Sequence, residues 1–148
     1  INGQLSMKSQ TSMVNGNDPL EATIEMNGKG DQLSGRLTDF IVKVIKIVDS
    51  LPKTIAGRHV GGQLISSSTS AGANYEEGCG AESRPDFIHK MSVVLKELKE
   101  SRFWLRIIGR TQMLSPKEIN PVIEESGQLC AIIGKSVSTA KKRRHIDH

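Results

Sequence analysis

The feature that most constrains this chain is a stretch of about thirty residues, 84–113, in which apolar side chains recur at helical spacing. They recur every three, four or seven residues with charged residues between them, which is typical of an amphipathic helix and not of a strand. The members are Phe87, Ile88, Met91, Val94, Leu95, Leu98, Leu105 and Ile108. Such a helix is about 45 Å long at about 1.5 Å per residue, so its apolar stripe needs other long helices beside it.

Two serines mark where the last two helices begin. Ser83 is followed three residues later by Asp86 and is expected to cap the helix over 84–113, with Pro85 in its first turn. Ser115 and Glu118 form a capping box for a fourth helix that continues to the basic end of the chain. The apolar positions of the fourth helix are Ile119, Val122, Ile123, Leu129, Ile132, Ile133 and Val137.

The two earlier helices are predicted from different observations. Apolar residues from Leu37 to Val48 have helical spacing, and Pro52 should end that helix because it disfavours the α conformation at Leu51. Residues 56–78 are rich in Gly, Ser and Ala, which makes a weak isolated helix but lets neighbouring backbones approach closely. Its buried face is expected to contain Val60, Leu64, Ser67, Ser68, Ala71 and Tyr75.

Residues 1–35 show no helical periodicity. Apolar residues alternate from Leu20 to Met26, which indicates a short strand, while a flexible arm is the alternative. Because the chain begins with Ile1 and not Met, this arm could also be a segment added to the natural chain or left by processing. The prediction is an all-α protein: a flexible N-terminal arm over 1–35, an antiparallel up-down-up-down four-helix bundle over 36–144, and a tail over 145–148.

Composition narrows the location and the partners. Aromatic residues make up 3% of the chain and the net charge is +4, of which the last eight residues carry +3. The two cysteines, Cys79 and Cys130, lack metal-type spacing, so reduced thiols in the cytoplasm are expected. No apolar run approaches the ~20 residues of a membrane span, and no signal-peptide pattern opens the chain.

A basic stripe on the third helix is the main candidate site. Its four members are spaced by three, four and four residues, which places them on one face: Lys99, Arg102, Arg106 and Arg110. Phe103 and Trp104 flank the stripe, and a second basic group closes the chain: Lys141, Lys142, Arg143 and Arg144. Cations beside aromatic rings can hold RNA or DNA by charge and stacking. The alternative is a solvated face whose arginines pair with Glu97, Glu100 or a neighbouring subunit.

Catalytic patterns are weak throughout. The hydroxyls of residues 65–70 have no nucleophile elbow or phosphate-binding loop around them, so close helix packing explains them better. A di-iron bundle needs two Glu-x-x-His pairs and two further glutamates, whereas the nearest match is the single pair of Asp86 and His89. We therefore predict no catalytic, cofactor or metal site.

From about Leu37 to Ala140 the sequence resembles the bacterial four-helix bundle protein family. Its members are also called 23S rRNA intervening-sequence proteins, because some are encoded within inserts in rRNA genes. The patterns that carry the resemblance are LP followed by Gly57, QLISSSTSAGANYEEG, SRPDFIHKM and KELKESRFWLRII. Asn74 and Glu77 belong to the second pattern, and the hypothesis is that they form a structural polar network between helices or subunits. The alternative is that they cap or solvate the end of the helix near Gly78.

The resemblance implies an antiparallel bundle that assembles into a cyclic homo-oligomer, often a pentamer, with no established catalytic activity. A related group is the accessory variability proteins of diversity-generating retroelements. Its members look like basic pentameric barrels and work with a reverse transcriptase and nucleic acid. The leading expectation is thus a non-enzymatic, pentameric interaction or scaffold protein. The alternative is a basic nucleic-acid-binding accessory factor, such as a partner of a reverse transcriptase.

Overall fold

Four helices in sequence order make up the part of the chain that the computed structural model describes, which is the backbone of 19–146 and the side chains of 30 and 32–143. They are α1 (Pro19–Ser50), α2 (Ile55–Cys79), α3 (Arg84–Arg110) and α4 (Pro116–Ile146). Each helix packs against the next, and α4 closes the bundle against α1. Because loops of four or five residues join them, neighbours run antiparallel. The predicted all-α, up-down-up-down four-helix bundle is confirmed.

The first helix begins earlier than the sequence indicates. α1 starts at Pro19, so the short strand predicted over 20–26 is wrong. The segment is helical because Leu, Glu, Ala and Met are strong helix formers, and their propensity outweighs a brief alternation of apolar residues. Helical backbone therefore continues through residues 19–35, on the N-terminal side of the predicted bundle boundary. Residues 1–18 lie outside the described residues, and the flexibility of the arm stays a prediction.

The small residues of α2 bring it close to its neighbours, as the sequence indicates. All six residues predicted for its inner face are buried. The Ser67 and Ser101 hydroxyls lie 2.8 Å apart across the α2–α3 contact. A methyl group on Gly78 would approach the Met91 Cε to 2.5 Å, so no larger residue fits there without a shift. Close packing is therefore what this Gly- and Ser-rich segment achieves.

The predicted helix starts are confirmed by their hydrogen bonds. The Ser83 Oγ accepts a hydrogen bond from the Asp86 N–H at 3.2 Å. The Glu118 carboxylate accepts hydrogen bonds from the Ser115 N–H and hydroxyl at 3.2 and 3.1 Å, which is the reciprocal half of a capping box. These caps fix where α3 and α4 begin, and with them the relative height of the two helices.

Polar side chains fasten α1 to α4. The Arg36 guanidinium lies 2.6 Å from a Glu125 carboxylate oxygen and donates a further hydrogen bond to the Gln128 side chain at 3.0 Å. On the other flank of α1, the Tyr75 hydroxyl donates to the Gly30 carbonyl at 3.1 Å. Because the ion pair is partly exposed, its net contribution to stability is modest.

Gln112, in the turn between α3 and α4, adopts a left-handed conformation with φ of 56°. An L side chain there costs about 1 kcal/mol or more, which a glycine avoids. Gln112→Gly is expected to raise the free energy of unfolding by about 0.5–1 kcal/mol, measured by urea denaturation. The matched control, Gln63→Gly in exposed helical backbone, should lower it by about 1 kcal/mol. Equal losses in both variants would contradict the strain at Gln112.

Candidate nucleic-acid interface

The basic stripe predicted on the third helix is exposed along its whole length. Lys99, Arg102, Arg106 and Arg110 all lie on the solvent side of α3, and each follows the previous one by about a turn. Buried residues of the same helix, such as Leu98 and Leu105, hold the opposite face in the core. The amphipathic pattern of α3 therefore fixes the direction in which the four cations point.

The stripe faces α4 across an open groove. The Arg102 guanidinium lies beside Gly127, since a methyl group on that glycine would be 3.5 Å from the Arg102 Nε. Arg106 and Arg110 line a depression with Asn120 and Ile123. We call this surface the basic groove, defined by Lys99, Arg102, Arg106 and Arg110 on α3 and by Asn120, Ile123, Gly127 and Cys130 on α4.

Cys130 shows that Lys99, the remaining member of the stripe, also lies close to α4. Burial raises the pKa of the Cys130 thiol, and the positive charges of Arg102 and Lys99 act in the opposite direction. Both cations therefore lie near enough to α4 for their charge to be felt at its sulfur. The stripe is thus one wall of the groove over its length.

No carboxylate neutralises the stripe within the part of the chain whose side chains are described. The two ion pairs found there, Arg36–Glu125 and Lys90–Glu77, involve none of its members. Glu97 and Glu100, which the sequence offers as partners, instead lie close to each other: burial and the Glu100 charge both raise the pKa of Glu97. Pairing of the stripe's arginines with acidic residues of a neighbouring subunit stays a prediction.

The residues that line the two walls of the groove are basic or uncharged. Residues three or four apart share a helix face, so the positions can be read from the spacing. On α3 they are 95, 99, 102, 106, 109 and 110, and on α4 they are 120, 123, 127, 130, 134 and 141. The walls of the groove are therefore basic, and the exposed Glu124 lies at the edge of the α4 wall, four residues after Asn120 and three before Gly127.

The basic end of α4 joins the groove only in part. Lys141 follows Gly134 by seven residues on the same face, and Gly134 lies against Leu95 of α3. Lys142 and Arg143 are exposed but lie on other faces of α4. The side chain of Arg144 lies outside the described residues. Lys141 thus extends the groove, whereas its two described neighbours do not face α3.

The two aromatic residues beside the stripe have different surroundings. Phe103 is 50% exposed, and its ring meets Trp104 edge to face at 5.0 Å. Trp104 turns toward α2, where its ring lies 6.0 Å from His59. Its Nε1 is buried and has no hydrogen-bond partner among the described residues. Phe103 is therefore the ring available for stacking.

The predicted polar pair on α2 does not form one buried cluster inside the chain. The Asn74 amide donates to the Ser70 carbonyl of its own helix at 2.9 Å. Glu77 is exposed and links α2 to α3 by an ion pair with Lys90 at 2.7 Å, which raises the Lys90 pKa through that hydrogen bond and charge. Only Glu77 thus connects two helices, and a role for either residue between subunits stays a prediction.

Other kinds of site find little support in the described residues. Ser67 and Ser68 are buried and hydrogen-bonded to α2 carbonyls, so their hydroxyls serve packing. Within residues 30 and 32–143, no three His, Cys, Asp or Glu side chains come together in a way that could hold a metal ion. None of the described helices combines the length and apolar character needed to cross a bilayer.

The α4 side of the groove was not predicted from the sequence. Asn120, Ile123, Gly127, Cys130 and Gly134 are mostly small or uncharged, so none stands out as a binding residue. Their spacing of three, four, three and four was the available indication, because it defines one acid-free face of α4. The spacing does not show that this face of α4 lies opposite the basic stripe on α3.

Comparisons with known proteins found a matching family model and a similar solved structure. A family model described as 23S rRNA-intervening sequence protein matches residues 34–135. A crystal structure from Bacteroides thetaiotaomicron VPI-5482, described as a protein with unknown function from the S23 ribosomal protein family, is similar with a TM-score of 0.66 and 26% identity. The match covers 71% of this chain and 97% of that one. No curated protein matches the chain.

Proposed function

This chain belongs to the 23S rRNA-intervening sequence protein family, and from that premise we propose that it acts by binding and not by catalysis, with single-stranded RNA or DNA as the ligand of the basic groove. One observation carries the proposal: four exposed cations follow each other along a groove without a carboxylate partner among the described side chains. A row of cations along a groove raises the local positive potential, which attracts polyanions.

The geometry suits a flexible anionic strand. Successive cations are about one helical turn, or about 5.4 Å, apart, so a backbone that follows the groove meets a new positive charge at each turn. Phe103, half exposed beside the stripe, offers a ring on which a base can stack. Neither feature reads base edges, so binding should depend on charge and strandedness more than on sequence.

The dependence of affinity on salt tests this proposal. If four cations contact phosphates, log K should fall with log salt with a slope of about −3 for a single strand. Affinity for a fluorescent 20-nucleotide RNA is then expected to fall roughly fiftyfold between about 50 and 200 mM salt. Fluorescence anisotropy measures it, with a labelled acidic peptide as the control ligand. Absent or salt-independent binding would refute a role for the groove in holding nucleic acid.

A second proposal, that copies of the chain assemble into a homo-oligomeric scaffold, is supported by exposed apolar side chains. Val42 and Ile45, three residues apart on α1, are 44% and 40% exposed. Ile132 is a further large apolar residue, 37% exposed on α4. A contact between two different patches of this kind is head to tail, and it closes into a ring when the rotation between copies allows it.

Light scattering tests the assembly. A pentamer, the ring that the family resemblance implies, has five times the 16.2 kDa mass of one chain. Val42→Asp combined with Ile45→Asp should reduce the mass to that of one chain, because the apolar α1 patch then carries two charges. Lys43→Asp, exposed on a different face of α1, should leave the assembly intact. A wild-type mass of 16.2 kDa at micromolar concentration would contradict the proposal.

Two finer predictions follow from the same proposals. A reverse transcriptase is the protein partner to test if the nucleic-acid role holds, by co-purification of the two proteins with and without nuclease. The cytoplasmic location, which was inferred from two cysteines without metal-type spacing, stays a prediction that cell fractionation can test.

A further inference from the structure

The end of the basic groove next to the α3–α4 turn deepens into a depression of about 300 Å³. Arg106 and Arg110 border it from α3, while Pro116, Asn120 and Ile123 border it from α4. That volume lies at the lower limit of small-molecule sites, which run from about 300 to 1,000 Å³. The depression therefore has room for one small molecule or for one unit of a chain molecule.

Its lining combines two kinds of chemistry. Two guanidinium groups without a carboxylate partner among the described side chains favour a phosphate, which they can bind through paired hydrogen bonds. Pro116 and Ile123 provide apolar surface, and the Asn120 amide can both donate and accept. Glu118, in the first turn of α4, is engaged in the helix cap with Ser115. A phosphate group joined to a ring with an apolar face fits this lining.

We propose that this depression is a nucleotide site, which binds a nucleoside monophosphate with its phosphate between Arg106 and Arg110 and its base against Pro116 and Ile123. The inference rests on the proposed function and deepens it: the site would hold one nucleotide of a strand that lies along the basic groove. Arg106 and Arg110 would bind the phosphate of this nucleotide, whereas Lys99 and Arg102 do not line the depression.

Gly109 explains why the depression exists and offers a way to narrow it. It lines the depression and has no side chain. A methyl group there would be 3.5 Å from Ile119 and 3.6 Å from Ile123, which is ordinary contact. Gly109→Ala should therefore fold normally, and it should reduce the room for a ligand. Because alanine also favours helix over glycine, reduced binding in this variant cannot be ascribed to unfolding.

Calorimetry of the full chain with adenosine monophosphate, adenosine and inorganic phosphate tests the proposal. Adenosine monophosphate should bind with a Kd below about 1 mM, because two charge-assisted contacts and ring burial act together. Adenosine and inorganic phosphate, which each keep only one of the two contacts, should bind at least about tenfold more weakly. Arg106→Gln, Arg110→Gln and Gly109→Ala should each weaken adenosine monophosphate binding, the arginine variants by about tenfold. Arg58→Gln, an exposed arginine on α2, is the control and should have no effect.

Three outcomes would overturn the site. They are no heat of binding with 10 mM adenosine monophosphate, equal affinity for phosphate alone, or an unchanged Kd in both arginine variants. Parallel anisotropy with the 20-nucleotide RNA separates this failure from that of the proposed function. RNA binding without mononucleotide binding rejects the nucleotide site alone. Mononucleotide binding without RNA binding rejects the strand-binding function and leaves the site.

Discussion

Reversing two charges in the middle of the basic groove is expected to lower the affinity for single-stranded RNA by about a hundredfold or more at about 50 mM salt. The variant is Arg102→Glu combined with Arg106→Glu. Each substitution removes a phosphate contact and places a like charge beside the strand, so both the attraction and the release of counterions are lost. Anisotropy with the 20-nucleotide RNA measures the change, and circular dichroism confirms that the bundle remains helical.

The matched control carries the same change in net charge on the other side of the bundle. Arg58→Glu with Lys46→Glu also takes the net charge from +4 to zero, and both residues are exposed on α2 and α1. We expect a loss of no more than about threefold, since long-range charge is screened beyond about 10 Å. Similar losses in both double variants would show that binding follows net charge and not the groove.

Gly57→Ala is expected to have the largest effect on stability, a loss of about 3 kcal/mol in the free energy of unfolding. A methyl group on Gly57 would lie 2.1 Å from the Pro52 carbonyl oxygen and 3.2 Å from the Thr54 hydroxyl. The loop between α1 and α2 must then move, and the Gly57 N–H loses its 3.0 Å hydrogen bond to the Thr54 cap. Thermal unfolding should show a midpoint lower by about 10 °C.

Gly62, on the same helix, is the control: its replacement by alanine removes a helical glycine without creating a steric clash. Gly62 is exposed, and a methyl group on it would meet nothing within 4 Å. Gly62→Ala should therefore stabilise α2 by about 0.5–1 kcal/mol. All proteins must be compared at one concentration, because assembly shifts the midpoint. A stabilising Gly57→Ala would show that the α1–α2 loop accommodates the methyl group freely.

Much of the bundle could be predicted because local rules decide it. The cap at Ser83 and the capping box at Ser115 each depend on residues three apart, so the starts of α3 and α4 are readable from the chain. The buried face of α2 could be derived although the segment has low helix propensity, since its few large residues share one side. The start of α2 was less clear, because its cap, Thr54, lies in an irregular stretch after Pro52.

The failures have a common physical cause. Apolar alternation from Leu20 to Met26 is compatible with both helix and strand, and seven residues are too few to decide between them. The stripe on α3 could be found from spacing within one helix. Its opposite wall on α4 and the depression beside Gly109 depend on how two helices meet, which a one-dimensional pattern does not contain. The Asn74 amide donates to the carbonyl one turn earlier, and its predicted role between helices or subunits stays a prediction.

Ultraviolet crosslinking to a single-stranded RNA, followed by mass spectrometric assignment of the linked residues, examines the binding surface most directly. Contact with the basic groove should give crosslinks on Phe103 and on residues 99–110 of α3, with further sites on 120–134 of α4. These crosslinks should disappear in the Arg102→Glu, Arg106→Glu variant. Crosslinks confined to α1 and α2, with the α3–α4 groove unlabelled, would contradict the assignment of this surface to nucleic acid.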